Sequence, residues 1–308
     1  MTLQQLRYLI AIANHGSISA AAHTLYVSQS SLSVAVRDIE RETGVTIFER
    51  SNRGITLTSD GIELLGYARQ VVEQADLMDE RYSGRGERAA QRLAITSQHY
   101  AFVVEAFLEL AEQYEGEGYN FSLRETRTAE VIEDVRDFRS DLGVLYLSTF
   151  NESVIGHALE DANLSFNLLF TAQPHVFVSA THPLADRAEV TVEDLEDYPR
   201  YAFEQGSNNS FFYAEEPLAE LPHSKCIAVS DRGTLSNLLA HHNGYTISTG
   251  VLSSEMHTGI ASVPLQTKEL MRVGYLVHNE RQLSPLAQSY IEKLNLFVEG
   301  YQIGLAGL

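Results

Sequence analysis

The 308-residue chain contains a single cysteine, no tryptophan and only seven prolines. A lone thiol, Cys226, excludes an internal disulfide, and with it the small stapled scaffolds of oxidising compartments. A cytoplasmic protein is the simplest reading. No run of about 18 apolar residues is present, so no transmembrane helix is expected and no membrane partner is implied. The opening MTLQQLRYLIAIANHG lacks a basic leader, an apolar run and a small-residue cleavage site; it reads as an amphipathic helix. Chemical signatures are equally scarce. His223, Cys226, His241 and His242 lack the C-x-x-C or H-E-x-x-H spacing of a zinc site. Gly244-Tyr245 with Gly250 is followed by no lysine, so it is not a phosphate loop. No Ser/His/Asp grouping has a catalytic context. The reading is a non-enzyme without metal or cofactor. Cys226, in an apolar stretch, is expected to be a buried core residue.

Basic residues are also in deficit. Lys and Arg number 22 against 41 Asp and Glu, a net charge of −19. The distribution is uneven. Residues 1–58 carry Arg7, Arg37, Arg41, Arg50 and Arg53 against Asp38, Glu40, Glu42 and Glu49, which leaves that segment at +1 and the rest at −20. If the segment meets a polyanion, the acid lies elsewhere and contact through more than one copy is favoured.

What the chain does have is pattern. With 44% hydrophobic residues it can bury sizeable cores, and its length suits two or three domains. Leu3, Leu6, Leu9 and Ala13 recur at helical spacing up to Asn14-His15-Gly16. Ser17 then caps a helix from Ile18 to about Leu25. After the turn Tyr26-Val27, Ser28 caps a third helix that runs to about Thr43, with Leu32, Val36 and Ile39 facing back and Gly44 closing it. Val45–Phe48 and Ile55–Leu57, joined by Ser51-Asn52-Arg53-Gly54, describe a two-stranded wing. Thr58-Ser59-Asp60 starts a long helix, with Asp60 and Glu63 spaced as a capping box. Its apolar positions Ile62, Leu65, Ala68, Val72, Ala75, Met78 and Tyr82 form a candidate dimerisation seam, ending at the hinge Ser83-Gly84-Arg85-Gly86.

Two short helices joined by a tight turn let the second enter a DNA major groove. That helix opens Ser28-Gln29-Ser30-Ser31-Leu32-Ser33, a poor core face but a good groove-facing one. Gln29 suits bidentate readout of adenine, and Ser30 and Ser33 suit base or phosphate contacts. Ser17 and Ser28 mark helix N-termini that suit phosphate, and Arg37 reaches the backbone further along. Arg53 in the wing is the natural minor-groove or phosphate contact, with Arg50 and Thr58 nearby. The bland alternative is that the serines only cap and Arg50 pairs with Glu49 or Asp38.

From residue 90 strands and helices alternate: strands at 92–96, 119–125, 142–147, 163–171, 175–179, 201–203, 225–229, 245–248 and 269–277, with helices at 100–114, 129–138, 234–242 and 285–299. This predicts an α/β unit with a mainly parallel sheet.

Residues 17–61 resemble the N-terminal region of LysR-type transcriptional regulators. Ala20-Ala21-Ala22, Leu25, Val27-Ser28-Gln29, Leu32-Ser33, Ile39-Glu40, Gly44, Ile47-Phe48-Glu49-Arg50 and Leu57-Thr58 with Gly61 carry the match. Ser30 stands where proline is common in that family, and Val34 where a basic residue is common. The resemblance implies an α/β protein with an all-α winged helix-turn-helix N-terminal domain (1–58), a linker helix and hinge (59–88), and a two-subdomain, periplasmic-binding-protein-like sensor (89–308). The first subdomain is read as 89–161 plus 268–308 and the second as 162–267, the two crossings forming a hinge. It also implies a homodimer or homotetramer on an inverted-repeat operator of double-stranded DNA, a small-molecule effector, and contact with RNA polymerase.

Candidate effector groups sit where strands end and helices begin: Ser97-Gln98-His99, Thr126 and Thr128, Tyr146 and Ser148, Gln205 and Ser207, and Asp231. Ordinary helix capping is the competing explanation for each. Neutral and cationic groups at helix N-termini suit a small carboxylate. The stretches ITSQHYAFVVEAF and FEQGSNNSFFYAEE resemble family members that regulate sulfur amino-acid genes, which implies an effector such as an acylated serine. The rival class is a solute-binding or enzyme domain fused to an unrelated helical domain; it lacks both an export signal and a catalytic motif.

Overall fold

The computed structural model describes residues 1–51, 54–82, 91–116, 118–206, 210–252 and 258–305. Internal packing divides the chain into two units, Met1–Ala89 and Ala90–Leu308. None of the described helices is long and apolar enough to cross a membrane.

In the first unit, α1 (Leu3–His15) is held at its start by a reciprocal pair: Thr2 accepts from the Gln5 N–H and Gln5 from the Thr2 N–H. Gly16, at φ 60°, ends it in the left-handed conformation that a Cβ disfavours. α2 (Ile18–Thr24) is capped by Ser17, and α3 (Gln29–Thr43) by Ser28. Leu6, Leu9, Ile39, Ile47, Leu65 and Ala68 form one apolar cluster, and Ile12, Ile18, Ala21, Leu32 and Val36 a second. Each fully buried leucine stabilises the unit by about 2 kcal/mol.

The wing is the antiparallel pair β1 (Phe48–Ser51) and β2 (Gly54–Leu57), with Phe48 opposite Leu57. Its first strand starts three residues later than the sequence pattern indicates, because Ile47 turns into the core and is fully buried. α4 (Ser59–Tyr82) follows. Its cap is Thr58 rather than an Asp60/Glu63 box: the Thr58 hydroxyl accepts from the Gly61 N–H at 2.8 Å and donates to the Thr46 carbonyl at 2.6 Å. Gly61 is required there, because a Cβ would lie 2.2 Å from the Ile47 carbonyl oxygen.

The second unit is built on a five-stranded mixed sheet of order β4-β3-β5-β12-β6. β3 (Gln91–Ser97) lies parallel to β4 (Tyr119–Glu125) and β5 (Leu142–Leu147). α5 (Ala101–Gln113), α6 (Thr128–Arg136) and α7 (Glu152–Asp161) connect them onward to β6 (Leu164–Ala172). β5 reads LGVLYL and is buried at every position, as expected of a central strand covered on both faces. β12 (Met271–His278) runs antiparallel to β5 and β6, so the sheet is only half parallel. β6 stays in this sheet, so the strand pairing places the crossover after Ala172, some ten residues beyond the boundary read from the sequence.

The second subdomain holds β7 (His175–Ser179), β8 (Arg200–Phe203), β9 (Cys226–Val229), α8 (Arg232–His241), β10 (Thr246–Ser248) and β11 (Ile260–Pro264). β7 is flanked by β10 and β11, and β8 pairs with β9. α9 (Pro285–Leu305) returns to the first sheet, where Leu286, Tyr290 and Leu294 join the core of β3, β5 and α5. The sequence pattern missed α7, which carries an internal Gly156, and β11, which ends in proline.

Cys226 is exposed, contrary to the expected core position. It opens β9, whose alternation turns Val229 inward and Cys226 and Ala228 outward on a two-stranded ribbon.

Candidate functional site

α3 presents two opposed faces. Leu32, Ala35, Val36 and Ile39 are buried, whereas Gln29, Ser30, Val34 and Arg37 are exposed and Ser33 is half-buried. The helix starts in a cluster of hydroxyls: Ser28 Oγ lies 2.8 Å from both Ser30 Oγ and Ser31 Oγ and accepts from the Ser31 N–H at 3.1 Å. Ser30 is thus partly occupied by the cap, while Gln29 has its whole amide free to extend. The Arg37 Nε donates to the Ser33 carbonyl at 3.3 Å, which aims the guanidinium along the same outer face. Arg7 and Arg41 are engaged elsewhere, by Asp76 and Asp38. In the turn before α3, Tyr26 is 95% exposed at φ 54°. Ser17 accepts from the Ala20 N–H and acts as a cap. Thr58 belongs to the α4 cap, so its hydroxyl is not a free wing contact. The Arg50 backbone falls in β1, but its side chain, and Arg53 as a whole, lie outside the described residues.

On α4, Leu65 and Ala68 pack inward, while Tyr67, Val71 and Met78 are 46%, 48% and 59% exposed. Their spacing of four and seven puts them on one stripe of the helix.

In the second unit, half of the expected effector groups (Gln98, His99, Thr128, Tyr146 and Gln205) meet, but they meet each other and the segment 211–216. Gln98 is fully buried. Its Oε1 accepts from the Tyr146 N–H at 3.0 Å and the Tyr100 hydroxyl at 3.1 Å, and its Nε2 donates to Thr128 Oγ1 at 2.6 Å. Thr128 Oγ1 donates in turn to the Tyr213 carbonyl at 2.7 Å, and the Tyr146 hydroxyl to the Ala214 carbonyl at 3.2 Å. Burial holds the Tyr100 and Tyr146 phenols well above their ordinary range, so they remain donors. The N-terminus of α6 is capped from the other subdomain, where Gln205 Oε1 accepts from the Thr128 N–H at 3.3 Å.

Glu215 closes the cluster. Its Oε2 lies 3.1 Å from the His99 N–H and 2.9 Å from His99 Nδ1, and its Oε1 lies 3.4 Å from Gln205 Nε2. The side chains of His99 and Glu215 are each 5% exposed. The imidazole stacks on Phe203 with centroids 3.8 Å apart. Burial pulls the His99 pKa down, but the bond to Glu215 and the charges of Glu215, Glu125 and Glu216 outweigh it and hold it above its ordinary value. Glu216, fully buried and beside Glu215, is pushed up to about 7. Arg232 pairs with Glu125 at 3.1 Å, and Arg200 donates to the Pro217 and Leu218 carbonyls.

Other expected residues stand apart. Ser97 is fully buried with its hydroxyl unpartnered. Thr126 donates to Glu130, and Ser148 accepts from the Phe150 N–H in a local turn. Asp231 is an exposed N-cap of α8 that accepts from the Thr234 N–H. Ser207 lies outside the described residues. Glu215, Glu216, Phe203 and Tyr100 were missed by the sequence reading; the acidic pair Glu215-Glu216 beside aromatics was the available signal.

The space left between His99, Phe203, Glu215, Glu216, Arg232 and Leu235 is a cavity of about 40 Å³. A larger one, about 320 Å³, lies at the crossovers among Phe102, Phe170, Val251, Phe297 and Val298.

Comparison with known proteins gives a consistent result. Residues 3–62 match the model of the bacterial regulatory helix-turn-helix protein, lysR family, and residues 85–295 that of the LysR substrate binding domain. A hydrogen peroxide-inducible genes activator of Dickeya chrysanthemi is 26% identical, over 100% of this chain and 98% of that protein. The regulator ClcR of Pseudomonas putida is 38% identical over 96 residues, 30% of this chain and 33% of that protein. Among solved structures, full-length OxyR from Pseudomonas aeruginosa is similar in fold, with a TM-score of 0.67 at 22% identity, covering 96% of this chain and 98% of that one.

Proposed function

The chain belongs to the LysR family of DNA-binding transcription regulators, and from that premise we propose that α3 reads an inverted-repeat operator while the cleft between the sensor subdomains answers to a small carboxylate. The observation that carries the DNA reading is the outer face of α3, where Gln29, Ser30, Ser33 and Arg37 line one side and the other is wholly apolar and buried. Gln29 reads a base edge; Ser30, Ser33 and Arg37 contact bases or phosphates; Arg50 and Arg53 reach the backbone from the wing. The segment 1–58, of charge +1, binds weakly alone. The exposed stripe Tyr67, Val71 and Met78 supports pairing of two chains through α4. Closure of the cleft then alters the spacing of paired recognition helices and the contact with RNA polymerase in the cytoplasm.

The carboxylate reading is supported by the donors at the α5 and α6 N-termini. The sulfur amino-acid metabolites implied by the sequence resemblance fall in this class. A peroxide response of the kind named for the Dickeya relative has less support. Cys226 has no second thiol within its own chain, and desolvation raises its pKa, which disfavours the reactive thiolate.

A gel-shift titration against DNA upstream of the gene, at low salt, tests the function. Binding that weakens steeply as salt rises is the expected result. No binding to any upstream fragment, with or without small carboxylates, overturns it.

A further inference from the structure

The donors suited to an effector's carboxylate already hold one, and it is the chain's own. The Glu215 carboxylate receives the His99 backbone N–H at 3.1 Å and approaches His99 Nδ1 at 2.9 Å and Gln205 Nε2 at 3.4 Å. At 5% exposure it is largely shielded from solvent. A carboxylate is buried only where its hydrogen bonds replace hydration, so the surroundings of Glu215 are organised for that group.

We propose that Glu215 is a built-in stand-in for the effector's carboxylate, and that the cleft selects a small monocarboxylate which binds by taking its place. This rests on the reading of the cleft as the effector site. Three observations carry it. First, the residual cavity of about 40 Å³ has room for no more than a few waters, which is too little for a metabolite while Glu215 stays. Second, Glu215 is carried on a segment clasped by the first subdomain. Thr128 Oγ1 donates to the Tyr213 carbonyl, the Tyr146 hydroxyl donates to the Ala214 carbonyl, and Phe212 stacks on Phe150 at 4.7 Å. Withdrawal of Glu215 strains those bonds, which couples occupancy of the donors to the closure of one subdomain on the other. Third, the neighbouring Glu216 is buried with its carboxyl against the Phe203 N–H. A second carboxylate on the ligand would have to be desolvated beside the Glu216 carboxyl, so dicarboxylates are disfavoured. Leu235, Leu239 and Phe177 also line the cavity and suit a short apolar tail.

The test is chemical rescue in the full-length chain. Glu215→Gly vacates the position, and Glu215→Gln fills it with a neutral isostere. Thermal unfolding of each and of the wild type is followed against sodium acetate, sodium chloride and sodium succinate at matched ionic strength. Acetate is expected to raise the Tm of Glu215→Gly saturably, with half-saturation at least about tenfold below any response of the wild type or Glu215→Gln. Chloride and succinate are expected to leave it unchanged. Equal acetate responses in all three proteins, or none in Glu215→Gly, overturn the proposal. If Glu215→Gly does not fold, the His99 titration followed by NMR in Glu215→Gln decides. A lowered imidazole pKa supports the proposal, and an unchanged one overturns it. Operator binding is measured alongside. Its absence in the wild type would refute the regulator reading, whereas a failed rescue with operator binding intact refutes only the stand-in.

Discussion

The two units use polar side chains in opposite ways. In the first, the groups expected to recognise a partner stand outside: Gln29, Ser30 and Arg37 are exposed on a helix whose other face is anchored by Leu32 and Ile39. In the second, Gln98, Thr128, Tyr146 and Gln205 are buried and hydrogen-bonded within the chain. A reader of DNA meets a partner that supplies its own surface, so its contacts can wait in water. A sensor of a small molecule must enclose it, so its contacts are buried and need partners when the molecule is absent. Segment 211–216 supplies those partners for Thr128, Tyr146 and Gln205.

That contrast can be broken first at the anchor of α3. Leu32→Ala removes a fully buried side chain and is expected to cost about 2–5 kcal/mol. Chemical denaturation should show this loss in the transition of the first unit alone. A similar loss in the second unit would mean that the two are not independent. The matching change in the sensor is Thr128→Val, which strips the hydroxyl between Gln98 Nε2 and the Tyr213 carbonyl. Leaving those buried groups unpaired is expected to cost about 1–3 kcal/mol and to loosen segment 211–216 in hydrogen exchange. Unchanged exchange there would show that the clasp is not what holds the segment.

Acidity should separate the units further. His99, Glu125 and Glu216 all have folded pKa values above their ordinary ones, with Glu216 near 7. For the two carboxyls the cause is burial in the first place; for His99 it is the bond and charge of Glu215 overcoming burial. The folded cleft therefore holds protons that the unfolded chain gives up. The stability tied to these groups is fully present below the ordinary carboxyl value of 4.5 for the glutamates and 6.5 for His99, and is lost as pH rises through the folded values. The exposed Asp231, lowered chiefly by the Thr234 N–H, acts in the reverse sense at more acid pH. These groups all lie in the sensor, whose melting temperature is expected to fall between pH 4.5 and just above 7. A sensor that gains stability over that range would contradict the assignment.

How much of this was legible in the sequence follows the same division. The caps Ser17 and Ser28, the closing Gly44, the buried stripe of α3 and its outward Gln29 are all local features, set by residues within a few positions of each other. The sensor's strands, β11 excepted, were legible for the same reason. The clasp was not, because His99 and Glu215 are 116 residues apart and segment 211–216 carries no periodic signal. Cys226 was misplaced because an apolar run does not reveal which strand face is covered. The crossover was misplaced because β6 reads as a strand in either subdomain; only its pairing with β12 assigns it. Thr58 shows a residue whose hydroxyl is claimed by its own fold, two strands and a helix meeting at Gly61.

The most direct measurement of the central claim is fluorescence anisotropy of the full-length chain on its upstream operator and on operators altered one base pair at a time, wild type against Gln29→Ala. The account predicts that Gln29→Ala loses about 1–3 kcal/mol of discrimination at one base position in each half-site while other positions keep theirs. Identical discrimination by the two proteins at every position would contradict the assignment of α3 as the reading helix.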